Sequence, residues 1–237
     1  MKIKAVIFDH DGVIVESVNT WKVLRKEKKK DISKLVSKKL LKNIENSYEI
    51  YKLAESKGLM TFTDFRYIEV SLLTMLNLSV KDFEIIAKKL KFRPYIKELV
   101  KELYENDITL GICSLAPKPC IDVTIKKLGY PFKYVFGTNM IFLNGKYLDS
   151  FVYPTENHND PISFIEGELD KASCINCIRK KENLRKDEII YVSDGDDPKI
   201  ADHCLIIAYN SSNKEWVKKA CLVTNDHRDI LDFILKS

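Results

Sequence analysis

Apolar residues in this chain gather in short, nearly unbroken runs, separated by longer stretches where they recur with the spacing of a helix. Ile3–Phe8, Ile108–Cys113, Tyr134–Phe136, Ile189–Val192 and Leu205–Ala208 are such runs, rich in Ile and Val, with Leu222–Val223 a shorter sixth. Their length and composition predict strands buried on both faces. Helical periodicity occupies Ile96–Tyr104, Cys120–Lys127, Ile162–Arg179 and Trp216–Ala220. Strands alternating with helices predict an α/β fold with a Rossmann-like parallel sheet core. In that architecture functional groups collect beyond the carboxyl ends of the strands.

Two stretches break the alternation. From Glu16 to Phe92 the sequence is amphipathic and helical, with breaks at Lys57-Gly58 and Leu78-Ser79 and no convincing strand. This predicts an inserted helical cap domain over 16–92, with the core formed by 1–15 and 93–237. The chain re-enters the core near Arg93-Pro94, because proline disfavours helix at the residue before it. The second stretch is Met140–Leu148, in which Asn144-Gly145 separates two apolar runs. That dipeptide is the strongest short-range hairpin signal.

Candidate chemistry lies at the strand ends. Asp9 and Asp11 follow the first run in Phe8-Asp9-His10-Asp11-Gly12-Val13. In a strand, residues i and i+2 face the same side, so the two carboxylates converge, and Gly12 permits the turn that follows. Converged carboxylates need a cation or a proton between them. Such pairs serve nucleophilic, acid–base and metal chemistry, although a solvated Asx-rich turn after a strand has the same composition. Ser114 follows the second run, and Ser193-Asp194-Gly195-Asp196-Asp197 follows a later one.

Phe8-Asp9-x-Asp11-Gly12-Val13 resembles the first signature of the haloacid dehalogenase superfamily of phosphohydrolases, and the other signatures occur in order. Ile108–Ser114 resembles the second, Lys171 is the best match to the third (Lys180 and Lys181 being alternatives), and Ile189–Asp197 resembles the fourth. Within the superfamily the chain is most similar to the phosphoserine-phosphatase-like group, through the position of the cap, the segment Leu128–Phe136 and the hairpin after it. The resemblance implies a phosphomonoesterase acting on a small phosphorylated metabolite. Asp9 would be the nucleophile that forms an aspartyl-phosphate, and Asp11 the general acid and base. Ser114 and Lys171 would bind the phosphoryl oxygens. Magnesium would be held by Asp9, the Asp11 backbone carbonyl, Asp194 and Asp197, with Asp196 the alternative to Asp197. A phosphotransferase of the same superfamily, or a catalytically idle relative that binds an anion or a partner, would share these signatures.

The chain departs from the group at three places. Members carry a second acidic residue four positions after the first in the last signature; here Pro198 stands there, with Asp197 one position earlier. Leu115-Ala116-Pro117 follows Ser114 where the group has glycines. Glu69 occupies the position of the arginine that holds the substrate carboxylate in phosphoserine phosphatases. Opposed carboxylates repel, which argues against phosphoserine as substrate. Glu16, Arg66 and Glu69 are the cap residues expected to reach the substrate, Arg66 and Glu69 being one helical turn apart.

Composition narrows the remaining classes. The chain has 237 residues, 45% hydrophobic and 31% charged, which describes a folded protein with a substantial core. It has no apolar stretch long enough to span a bilayer and begins directly in a strand, so a cytoplasmic location is expected. The net charge is +5, with lysines concentrated in Lys22–Lys42. No aromatic residues interleave with them, which favours a solvated helix face over a nucleic-acid surface. Six cysteines are too sparse for a disulfide scaffold. Cys174 and Cys177 have zinc-like spacing but no second ligand pair, so packing within a helix is the expected role.

Overall fold

The computed structural model describes residues 2–17, 19–28, 50, 53–54, 56–59, 78–143, 146–153, 171–196 and 198–236. Side chains of residues 141–153 fall outside the description. A seven-stranded sheet organises the molecule. Its strands are β1 (Ala5–Phe8), β2 (Thr109–Pro117), β3 (Tyr134–Leu143), β4 (Lys146–Tyr153), β5 (Ile189–Ser193), β6 (Leu205–Tyr209) and β7 (Leu222–Thr224). Their spatial order is β4-β3-β2-β1-β5-β6-β7. All neighbours are parallel except β3 and β4, which form an antiparallel edge hairpin with Leu143 opposite Lys146. The Asn144-Gly145 turn itself lies outside the described residues.

The continuous apolar runs arise because the central strands feed two cores at once. Val6 and Phe8 of β1, Ile190 and Val192 of β5, and Ile207 and Tyr209 of β6 enter one cluster. Their alternates Ala5 and Ile7, Ile189 and Tyr191, and Ile206 and Ala208 enter the other. The first cluster is closed by α3 (Ile96–Glu105), α4 (Lys118–Leu128) and α7 (His227–Leu235). The second is closed by α5 (Lys171–Lys181) and α6 (Lys214–Lys219), with Ile175, Ile178 and Trp216 fully buried. The result is a three-layer α/β/α sandwich.

Between β1 and α3 the longer described segments are α1 (Thr20–Glu27) and α2 (Val80–Lys89). Leu24, Leu78, Phe83, Ile86 and Ala87 pack with Cys120 of α4 in a third cluster. Ser79 and Asp82 form a capping box at the start of α2, satisfying backbone donors that the helix cannot. The outgoing and returning chains run side by side at the core: Val15 bridges Phe92, and the Glu16 N–H donates to Lys91 O at 2.9 Å.

Three elements differ from the pattern-based expectation. β2 does not stop at Cys113 but continues to Pro117, with a register irregularity against β3 between Cys113 and Pro117. β3 runs unbroken from Tyr134 into the hairpin. α7 is an addition, begun by Asp226, whose side chain accepts from the Arg228 N–H. Of the expected helix over Ile162–Arg179, the described part starts at Lys171. The described cysteines are free; Cys174 is buried in α5 and Cys177 half-buried. Among the described residues no helix is long and apolar enough to cross a membrane.

Candidate active site

The direction of strand order reverses between β1 and β5, and this switch point is where open α/β sheets leave a crevice. Register fixes what lines it. Phe8 pairs with Ile112 on one side and Val192 on the other, so the next residues along the three strands are Asp9, Cys113 and Ser193. The Asp9 N–H still donates to Val192 O at 2.9 Å, holding its side chain at the strand mouth.

Asp9 is buried and met by several donors. Lys171, the first residue of α5, places Nζ 2.7 Å from Asp9 Oδ2 and also contacts Asp196 Oδ2. The Lys171 ammonium is thus shared by two carboxylates. The His10 N–H donates to Asp9 Oδ1 at 2.7 Å, and Ser193 Oγ lies 3.5 Å from Oδ2. Ser114, 2% exposed, lies beside the Asp9 carboxylate and favours its charged form, and its Oγ accepts from the Ala116 N–H at 3.3 Å. Ser114 sits in the irregular part of β2 rather than at a helix start, and α4 begins at Lys118 without a side-chain cap. Bulges of this kind re-aim side chains beside functional sites.

Electrostatics follow from burial and crowding. Burial raises the Asp9 carboxyl above its ordinary value, with Lys171 opposing and Asp196 adding to the shift. Burial works against the charge on Lys171, yet the Asp196 and Asp9 carboxylates hold it above its ordinary value. Asp194 is pushed up to about 7, mainly by burial and next by the Asp9 charge. The Tyr191 hydroxyl donates to Asp196 Oδ2 at 2.9 Å, with Cys113 O at 3.2 Å. Trp216 Nε1 donates to Ser193 O at 3.2 Å and packs edge-on to Tyr191, which fixes the end of β5 from below.

Gly12 makes the close approach of the two acidic loops feasible. Its φ is +76°, and a Cβ built there would sit 2.4 Å from Asp194 Oδ2. Arg93 Nε donates to Gly12 O at 3.0 Å and tethers the same loop to the returning chain. Asp11 turns toward α1: the Thr20 N–H donates to its Oδ2 at 2.7 Å, and the Thr20 hydroxyl contacts Oδ1. The Trp21 indole of α1 donates to Leu115 O at 3.0 Å, linking the first helix of the insertion to the stretch after Ser114.

The structure therefore brings Asp9, Ser114, Lys171 and Asp194 to one strand edge, with Asp11 beside them. Asp197, Arg66 and Glu69 lie outside the described residues. Glu16 is exposed, next to the returning chain. Tyr191, Ser193 and Thr20 carry contacts that motif spacing did not single out, and Asp196 of the acidic cluster contacts Lys171 and Tyr191. Among the described residues, no three His, Cys, Asp or Glu side chains gather closely enough to hold a metal ion by themselves. Magnesium is commonly held by one or two carboxylates, with water and phosphate oxygens completing the shell. The crowded pair Asp9 and Asp194 fits that smaller requirement, since a divalent cation would offset both the burial and the neighbouring Asp9 charge that raise Asp194.

A family model for haloacid dehalogenase-like hydrolases matches residues 3–201. No curated protein matches the sequence. Among solved structures, one described as the phospho-aspartyl intermediate analogue of phosphoserine phosphatase superimposes with a TM-score of 0.71 at 22% identity, covering 99% of this chain and 100% of that one. A phosphoserine phosphohydrolase-like protein from Francisella tularensis gives 0.67 at 19% identity over 98% and 100% of the two chains. A hydrolase of the same superfamily from Salmonella enterica serovar Typhi gives 0.71 at 14% identity over 99% and 73%. At these identities the likeness concerns the fold.

Proposed function

This chain belongs to the haloacid dehalogenase-like hydrolase family, and from that premise we propose that it is a magnesium-dependent phosphomonoesterase working through an aspartyl-phosphate on Asp9. The observation that carries the reading is the Lys171 ammonium lodged 2.7 Å from Asp9 at the sheet's switch point, with the buried Ser114 nearby. A phosphoryl group in transfer spreads negative charge over its equatorial oxygens, so fixed cations and donors supply most of the stabilisation. Lys171 Nζ already stands against the Asp9 carboxylate, and it and Ser114 Oγ would take up those oxygens when substrate enters.

Asp9 attacks phosphorus in line and the bond to the leaving oxygen breaks. Asp11 gives that oxygen a proton, then withdraws one from the water that cleaves the aspartyl-phosphate. Tyr191 and Ser193 hold Asp196, and Asp196 in turn keeps Lys171 charged and aimed. Asp9, the Asp11 carbonyl and Asp194, with Asp197, would hold magnesium, which supplies charge neutralisation at the phosphoryl oxygens.

The substrate class we assign is a small phosphorylated metabolite other than phosphoserine, because Glu69 replaces the arginine that would meet a substrate carboxylate. Arg66, Glu69 and Glu16 remain our candidates for substrate contacts from the 16–92 segment. A cytoplasmic location and a non-nucleic-acid role for the lysine-rich stretch belong to the same proposal.

The test is phosphate release from a panel of phosphate monoesters, with and without magnesium. Turnover that requires magnesium and is lost in Asp9→Asn supports the reading. The absence of turnover above the Asp9→Asn protein across the panel would refute it. Product analysis with sugar acceptors separates hydrolysis from phosphotransfer.

A further inference from the structure

His10 stands between the two aspartates, where its ring is fully buried, and the reaction just described gives it no task. Its two nitrogens are both engaged. Nε2 lies 3.0 Å from Thr124 Oγ1 on α4, and Nδ1 lies 3.0 Å from Asp11 Oδ1. The Thr124 hydroxyl spends its own hydrogen on Cys120 O at 3.0 Å. Thr124 Oγ1 is thereby left to accept, which assigns a hydrogen to His10 Nε2. Nδ1 then meets Asp11 with one hydrogen between them.

We propose that His10 is the positioning residue for Asp11, holding the acid–base carboxylate against the core while α1 holds its other side. The two supports differ in origin. Thr20 belongs to the segment inserted between β1 and β2, whereas His10 is braced through Thr124 by a helix that packs directly on the sheet. An anchor from the core keeps Asp11 within reach of the leaving oxygen without relying on the inserted segment. The ring cannot swing away, because it is fully buried and tied at both ends. This role rests on Asp11 acting as general acid.

A misplaced acid is felt only where the leaving group needs a proton. Alkoxides do, and 4-nitrophenolate does not. The readout is therefore kcat/KM, which reports the phosphoryl-transfer step, for 4-nitrophenyl phosphate and for the alkyl monoester the wild type turns over fastest. His10→Leu removes both contacts. His10→Asn places an amide nitrogen near the Nδ1 position, whereas His10→Gln reaches the Nε2 position instead.

In Leu and Gln variants the alkyl ester is expected to lose about 100-fold in kcat/KM and the nitrophenyl ester less than about fivefold. Asn should restore the alkyl ester to within about tenfold of wild type. Equal losses on both esters, no loss, or a wild type that accepts only aryl esters would overturn the proposal while leaving the phosphatase reading intact. A wild type indistinguishable from Asp9→Asn on both esters would overturn both. Should Leu fail to fold by its thermal transition, the comparison of Asn with Gln decides the matter alone, equal behaviour counting against the proposal.

Discussion

Lowering the pH should weaken the fold through one imidazole, that of His227 at the start of α7. The ring is 1% exposed and stacks on Tyr209 with centroids 4.3 Å apart. Nδ1 donates to Pro94 O at 2.8 Å, and Nε2 makes no hydrogen bond. Burial pushes the group down from 6.5 to about 4, the Pro94 carbonyl opposing and the Arg93 guanidinium reinforcing the shift. A folded-state value below the unfolded one means that the unfolded chain takes up the proton first as pH falls. The contribution is intact above about 6.5 and is lost as pH drops toward about 4. Two and a half units at about 1.4 kcal/mol each bound the full loss at about 3 kcal/mol, and about 2 kcal/mol of it falls between about pH 7 and pH 5. His227→Phe keeps a ring against Tyr209 and cannot titrate. Urea unfolding of both proteins at the two pH values isolates the term, because other groups cancel in the difference. The wild type should lose about 2 kcal/mol more than the variant on acidification. Parallel losses would refute the argument. The position has a functional side as well, since the neighbouring Arg93 is bonded to Gly12 O and, through its N–H, to Ile14 O.

Lys171→Met should leave Asp9 and Asp196 facing each other and destabilise the metal-free protein by about 3–5 kcal/mol; adding Asp196→Asn should recover part of that, and urea unfolding of a double variant no more stable than the single would contradict the shared-cation reading. Gly12→Ala should cost about 1–2 kcal/mol for its left-handed backbone alone. Its Cβ must also displace Asp194, so the magnesium concentration giving half-maximal phosphate release should rise about 10–100-fold, and an unchanged requirement would remove Asp194 from the proposed metal site.

The central strands were legible because burial on both faces leaves little room for polar residues. Ile3–Phe8 and Ile189–Val192 could hardly be anything else once helices of matching period flank them. Asp9 was legible for the related reason that a carboxylate directly after such a run has nowhere to go but the strand mouth. The course of Ser114–Pro117 was not legible. Whether those residues end a strand or bulge within it is decided by pairing with Phe136 and Thr138, which local sequence does not encode. The helix after Asp226 did carry signals, an N-cap residue and apolar positions at Ile230 and Ile234, but its length is modest and β7 before it is only three residues long. In the acidic cluster, spacing distinguishes Asp194 from its neighbours poorly. Gly195, at φ +156°, turns the chain so that Asp196 reaches back to Lys171 while Asp194 crosses to Gly12, a division set by the turn rather than by composition. The partnership of His10 with Thr124 spans 114 positions, and no local pattern announces it.

The account stands on Asp9 as the nucleophile, and trapping the covalent species tests it most directly. The protein is mixed with 4-nitrophenyl phosphate and magnesium, quenched in acid, digested and analysed by mass spectrometry. A hydroxylamine-labile phosphoryl group on the peptide bearing Asp9, more abundant in Asp11→Asn and missing in Asp9→Asn, is the predicted result. Release of nitrophenolate with no acyl phosphate on that peptide, or with the phosphoryl group on another residue, would contradict it.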